Sequence, residues 1–291
     1  MATIEADKAD LTAPLNQGED EAPRPPPRES LGERIARIVI PAGMLLLLIV
    51  VWQVYCDVAE VPHYILPSPL RIAQAFSTDW PTLLPALMVT LKITFSALAI
   101  ALVGGVALAI VMTQSKWLEL ALYPYAVILQ VTPIVAIAPL ILIYAPSTQA
   151  ALMICAWIVA FFPVLSNTAQ GLRSTDHNLL NLFELYGASR WQTLLLLKLP
   201  NALPFFLAGL RIAGGLALIA AVVAEFAAGS AGAGSGLAFR LLESQYRLNI
   251  PRLFAALVML SFTGVLIFGA TSAISYFLLR KWHESAVRRE N

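Results

Sequence analysis

The stretch RSTDHNLLNLFELYGASRWQTLLLLKLPNALP, residues 173–204, is too polar to cross a membrane and too apolar to be a solvated connector. Asp176 stands where a helix N-cap is expected, because its carboxylate can accept from the unpaired N–H groups of a first turn. Leu179, Leu180, Leu182, Phe183, Leu185 and Tyr186 then cover much of the surface of a short helix. Gly187 follows and permits a sharp break. A second helix is expected from Ser189 to Leu199, closed by Pro200 and Pro204. A short helix this apolar needs a cover: the bilayer surface, neighbouring helices or another protein. Few basic residues lie on it, so attachment to anionic lipid is the weakest of the three.

Outward from this stretch the chain runs apolar for long distances. Residues 38–55, 87–112, 120–144 and 150–169 precede it, and 203–226 and 253–279 follow. Each is near or above the roughly 17–25 residues that cross a hydrocarbon core. In lipid an open segment satisfies its own backbone polar groups only as a helix. The expected fold is an all-α polytopic membrane protein with about six transmembrane helices. Pro124, Pro133, Pro139 and Pro163 interrupt the third and fourth runs, as at kinks or protein-lined cavities. Gly104 and Gly105, Gly214 and Gly215, and Gly264 and Gly269 put small residues where helices approach closely.

Composition narrows the function classes. Of 291 residues 58% are hydrophobic and only 13% charged, with a mean hydropathy of +0.74. Soluble domains carry about twice that charged share, so a soluble enzyme is excluded. A net charge of +1 without a basic stripe gives no nucleic-acid surface. Cys56 and Cys155 lie far apart, in or beside apolar segments, with no metal or redox spacing. His63, His177 and His283 all fall in loops, so no Ser–His dyad and no histidine relay sits at membrane depth. A self-contained secondary transporter or channel is the alternative class, but no internal repeat supports it. The run 229–236, GSAGAGSG, lacks the lysine of a phosphate-binding loop and reads as a turn.

Basic residues set the orientation. Arg24, Arg28, Arg34 and Arg37 precede the first span, Lys116 follows the second, Arg173, Arg190 and Lys198 follow the fourth, and Arg280, Lys281, Arg288 and Arg289 follow the sixth. The alternate loops hold Arg71, then none, then Arg240, Arg247 and Arg252. Both termini are therefore expected in the cytoplasm of a multi-pass protein. Residues 1–37 are expected as a disordered cytoplasmic tail, its first 30 acidic and then proline-rich with little to bury. It is not read as a signal peptide, because the first apolar run starts only near Ile38. Residues 38–280 form the membrane domain and 281–291 a cytoplasmic C-terminal tail.

Three charges fall within spans, Lys92, Arg211 and Glu225. Glu225, near the outer end of the fifth, costs a few kcal/mol there and reads as functional by default. Arg211 lies 14 residues earlier, about 21 Å along one helix, too far to pair with it. Lys92, near the outer end of the second span, is the expected partner, in an ion pair holding two helices near an outer gate. The alternative is that each snorkels to the interface.

Gly187-Ala188-Ser189-Arg190-Trp191, then Leu199-Pro200-Asn201-Ala202-Leu203-Pro204 and Gly209-Leu210-Arg211-Ile212, resembles the cytoplasmic loop of ABC importer permeases. Leu66-Pro67-Ser68-Pro69, Ala138-Pro139-Leu140, Phe161-Phe162-Pro163, Glu225 and Arg280-Lys281-Trp282-His283-Glu284-Ser285 also match, most closely the nitrate, sulfonate and taurine branch. The resemblance covers roughly residues 62–285. It implies a MetI-like permease fold in a bacterial inner membrane, not an enzyme. The implied partners are cytoplasmic ABC ATPase subunits, a second permease copy (a homodimer), a periplasmic solute-binding protein and membrane lipid. No cofactor is implied on this chain, with ATP used by the ATPase.

Under the same resemblance residues 173–204 form a coupling loop that docks into the ATPase, with Asp176, Asn181, Leu182, Phe183, Glu184, Leu185, Gly187, Ala188 and Pro200 as its residues. The family usually has Glu followed by two small residues beginning six positions before the glycine. Here those positions are Asn181, Leu182 and Phe183, and Glu184 lies nearly one turn on. The Phe-Gly-type turn usual near Ala145-Pro146-Ser147 is also absent. The cargo implied is a small nitrate-, sulfonate- or taurine-like anion, or a thiamine-precursor or vitamin-type compound as in some similar permeases.

Overall fold

A computed structural model describes residues 31–229 and 234–280, and every regular element among them is helical. Helix α1 spans Leu31–Val58 and α2 Pro69–Thr113. Helices α3 (Lys116–Val131) and α4 (Ile134–Tyr144) lead to α5 (Thr148–Arg173). The loop region holds α6 (His177–Leu185) and α7 (Arg190–Thr193), followed by α8 (Leu199–Ala228), α9 (Leu237–Tyr246) and α10 (Ile250–Leu279). Five helices, α7 and α8 counted as one, are long and apolar enough to cross a membrane. A sixth crossing requires α3 and α4 together. Most of the N-terminal tail and all of residues 281–291 lie outside the described residues. The first helix begins at Leu31, inside the region expected as tail.

The chain divides into two units at Val51. The first contains the start of α1, whose described side chains are chiefly apolar. The second, from Trp52 onward, holds the bundle. Within it the end of α1 is tied to the start of α2, because Gln53 Oε1 accepts from the Leu70 N–H at 3.0 Å. Trp52 also packs against Phe254 of α10 at 5.9 Å between ring centroids.

Two expected elements differ in shape. The third apolar run is not one helix, since α3 and α4 meet at a bend of 100°. Thr132 and Pro133 are both extended, with ψ of 124° and 112°. Proline lacks an N–H and sterically drives the residue before it out of the α region, so the helix breaks there. The helix expected to end at Leu199 instead continues. A π-helical turn over Leu194–Lys198 joins α7 to α8, Pro200 sits in the first turn of α8, and Pro204 lies inside it. Pro200 therefore removes one donor from a continuous helix, and the wider π turn just before it accommodates the missing N–H and the ring.

Helix α5 is the hub and packs most extensively against α8 and α2. Close approach at these crossings is made by glycine. A Cβ at Gly105 of α2 would stand 2.9 Å from Val164, and one at Gly209 of α8 would stand 2.8 Å from the Pro163 carbonyl oxygen. A Cβ at Gly171 of α5 would lie 2.9 Å from the Ala202 Cα. Gly214 meets Ile267 of α10 closely, whereas Gly215 and Gly269 face open space. The tight crossings therefore use Gly171 and Gly209 as well as two of the six glycines expected from the spans.

Candidate functional site

Two sites stand at opposite ends of the bundle. At the first, Asp176 caps α6 as expected, accepting from the Asn178 N–H at 2.7 Å. Helix α6 buries none of its residues. Leu179 and Leu182 are 45% exposed, and Leu185 and Tyr186 are 84% exposed. Asn181 and Glu184 are exposed, while Phe183 and Ala188 are half-buried.

The angle after α6 is set by two consecutive motifs. Gly187 has φ +69°, a conformation costly for any residue with a Cβ, although nothing lies within 4 Å of where that atom would be. Its N–H donates to the Glu184 carbonyl oxygen, and the Ala188 N–H donates to that of Phe183, both at 2.9 Å, closing a Schellman turn. Ser189 then opens α7 with a capping box: the Gln192 N–H donates to Ser189 Oγ, and the Ser189 N–H donates to Gln192 Oε1.

The loop is also clamped to the bundle. Asn201 Nδ2, on α8, donates to Ser174 Oγ at 3.2 Å beside the Gly171–Ala202 crossing, joining the end of α5 to the start of α8. Arg173 pairs with Glu119 of α3 at 2.7 Å. The chain on either side of α6 is thus fixed to α3, α5 and α8. A groove of about 520 Å³ beside it is lined by Glu184, Arg190, Lys198 and the end of α2. Glu184 forms no ion pair among the described residues. Pro200 is half-buried, and its position starts α8 rather than ending a separate helix.

At the far end Glu225 is 2% exposed. Its expected ion pair with Lys92 is not formed. Thr90 Oγ1 donates to Glu225 Oε1 at 2.7 Å, and the Ala238 N–H donates to Oε2 at 2.9 Å. The Leu237 N–H in turn donates to Thr90 Oγ1 at 2.9 Å. Lys92 follows Thr90 by two residues, about 200° around a helix of 3.6 residues per turn, so it points to the opposite face of α2. The carboxylate is satisfied instead by α2 and by the first turn of α9, whose N–H groups have no helical partners and favour a negative charge. Gly236 makes this possible, because a Cβ there would overlap the carboxylate. Three elements, α2, α8 and α9, are thus tied at one carboxylate. Sequence reasoning found Glu225 and missed Thr90 and Gly236. The available signal was α9 beginning after glycines with no side-chain N-cap.

Arg240 and Arg247 pair with Glu243, and Arg252 lies 3.8 Å from Asp79. The three basic residues that weakened the charge contrast of this loop thus pair with two acids, Glu243 and Asp79. Among the described residues, no cluster of His, Cys, Asp and Glu could hold a metal ion.

Comparison with known proteins places the chain in a family. Residues 101–289 match the family described as the binding-protein-dependent transport system inner membrane component. A probable ABC transporter permease protein of Haemophilus influenzae is 32% identical over 77% of this chain and 90% of its own length. The formylaminopyrimidine transport permease protein of Halalkalibacterium halodurans is 32% identical over 82% and 94%. A putative aliphatic sulfonates transport permease protein of Bacillus subtilis is 27% identical over 96% and 98%. The crystal structure of an amino acid ABC transporter with histidines shares the fold, with a TM-score of 0.58 at 18% identity, over 72% of this chain and 97% of that one. Family membership displaces the alternative of a self-contained secondary transporter or channel: the chain belongs to the binding-protein-dependent transport system inner membrane components and is a multi-pass permease subunit of an ABC importer.

Proposed function

We propose that the exposed face of α6 is the docking surface for a cytoplasmic ABC ATPase, and that ATP-driven closure of the ATPase pair moves the bundle between outward- and inward-open states. The observation that carries this reading is an apolar helix with no buried residue, held at a fixed angle by a Schellman turn and a capping box. Covering one leucine contributes about 1.5–3 kcal/mol, so Leu182, Leu185 and Tyr186 form an anchor that only a partner can use. The clamp at Asn201, Gly171 and Arg173 carries the stroke into α3, α5 and α8.

In this reading two identical permease copies enclose the pathway, a solute-binding protein delivers cargo outside, and both termini lie in the cytoplasm. The permease binds no cofactor of its own, and ATP is held and hydrolysed by the partner. The cargo is a small solute, either a nitrate-, sulfonate- or taurine-like anion or a thiamine-precursor or vitamin-type compound. Names of similar permeases support both classes, formylaminopyrimidine on one side and aliphatic sulfonates on the other. Co-purification with the cognate ATPase tests the docking. Leu182→Asp with Leu185→Asp should abolish it without lowering the melting temperature of the permease, since neither side chain is buried. Undiminished co-purification would refute the assignment.

A further inference from the structure

Released from Glu225, Lys92 has a setting of its own. It lines a cavity of about 490 Å³ between α2 and the start of α5, together with Met88, Ser96, Ser147, Gln149 and Met153. No described acid lies within ion-pair distance of it. A lysine within a membrane-spanning helix, facing a cavity and lacking a counter-ion, marks an ion or substrate path by default. The neighbours extend the same chemistry. Ser96 and Gln149 make no hydrogen bond to another described residue, so a hydroxyl and an amide donor are free. Ser147 Oγ accepts from the Ala150 N–H at 3.2 Å, which leaves its own O–H free to donate. Among the described residues, no carboxylate lines the cavity. Met88 and Met153 supply an adaptable apolar wall.

We propose that this cavity is a binding site for a small oxyanion, with Lys92 as the counter-charge, Ser96, Ser147 and Gln149 as donors, and the methionines receiving a short organic body. The inference rests on the importer reading and, where the ligand is the solute, narrows the cargo to the anionic class. The same chemistry is offered by two sources, a transported sulfonate or carboxylate and the headgroup of an anionic phospholipid.

The test uses the full-length chain in nanodiscs, with Cys56 and Cys155 replaced by Ala and a reporter thiol introduced as Ser96→Cys. Labelling rates, each divided by the same reagent's rate with a small free thiol, are compared for the anionic 2-sulfonatoethyl and the cationic 2-(trimethylammonio)ethyl methanethiosulfonates. A single ammonium a few ångströms away should favour the anionic reagent about tenfold even at water-like screening. The bias should collapse in Lys92→Gln and persist in Lys92→Arg. Met153→Cys serves as a second reporter should the first variant not fold. Slowed labelling by sodium ethanesulfonate in phosphatidylcholine discs identifies solute as the ligand. Slowing only in discs containing phosphatidylglycerol identifies the headgroup. Equal rates for the two reagents, a bias indifferent to Lys92, or protection from neither source would overturn the site. Labelling needs no ATPase, so failure of the importer reading would appear separately, as lost ATPase co-purification with the labelling bias intact.

Discussion

Replacing Thr90 by Val keeps the side-chain shape and removes one hydroxyl, the atom joining α2 to both Glu225 and α9. Two hydrogen bonds between elements disappear: the donation to Glu225 Oε1 at 2.7 Å and the acceptance from the Leu237 N–H at 2.9 Å. Thr90 is fully buried and Glu225 is 2% exposed, so water does not replace either. Each orphaned buried group costs about 1–3 kcal/mol, more where it is charged, giving roughly 2–6 kcal/mol for the pair. The Ala238 N–H still holds Oε2, so the expected result is release of α9 from the bundle rather than global unfolding. Hydrogen exchange read on peptides covering Leu237–Tyr246 should rise sharply in Thr90→Val and stay near wild type in Thr90→Ser, which keeps the hydroxyl. Equal protection in both variants would refute the three-way tie.

Further outcomes follow from the same geometry. Gly236→Ala pushes a Cβ into the Glu225 carboxylate and should displace α9 as Thr90→Val does, read by the same exchange experiment. Gly187→Ala should cost about 1–2 kcal/mol through its φ of +69° alone, because space is open, and should weaken ATPase-coupled transport while leaving the bundle folded. Gly209→Val meets the backbone carbonyl of Pro163 and should lower the melting temperature far more than the same change at Gly215, which faces open space. The Arg240 hydrogen bond, with the charges of Arg240, Arg247 and Arg252, holds the Glu243 carboxyl below its ordinary 4.5. Its folded value being depressed, its contribution is complete above 4.5 and is lost as pH falls through the lower folded value. Exchange in α9 should therefore increase on acidification below 4.5, and Glu243→Gln should remove that dependence.

Most of the architecture was legible because bilayer physics leaves few choices. Long apolar runs become helices, and Asp176 and Gly187 act through local rules that need only their neighbours. The misplaced features are those settled by distant contacts or backbone detail. Glu225 stood out as a buried charge, but its partners come from residues far away in sequence, Thr90 and the first turn of α9. Pairing it with the nearest opposite charge ignored the two-residue step that turns Lys92 away. Pro133 was recognised as an interruption, yet only the extended Thr132–Pro133 backbone shows a 100° bend. Pro200 and Pro204 read as a stop, whereas the π turn before them carries the helix through. Gly171 carried no sequence signal separating it from glycines such as Gly215 that pack against nothing, and Gly209 stood out as part of a motif string but not as a crossing point.

The central claim is that the face carrying Leu185 receives the ATPase. A photo-cross-linking residue placed at Leu185 in the assembled transporter tests it most directly, with Ile143, exposed on the distant α4, as the comparison position. Docking on this face gives a permease–ATPase adduct from Leu185 whose yield changes as ATP is added, and none from Ile143. Adducts from Leu185 only to lipid or to the permease itself, with the ATPase present and active, would contradict it.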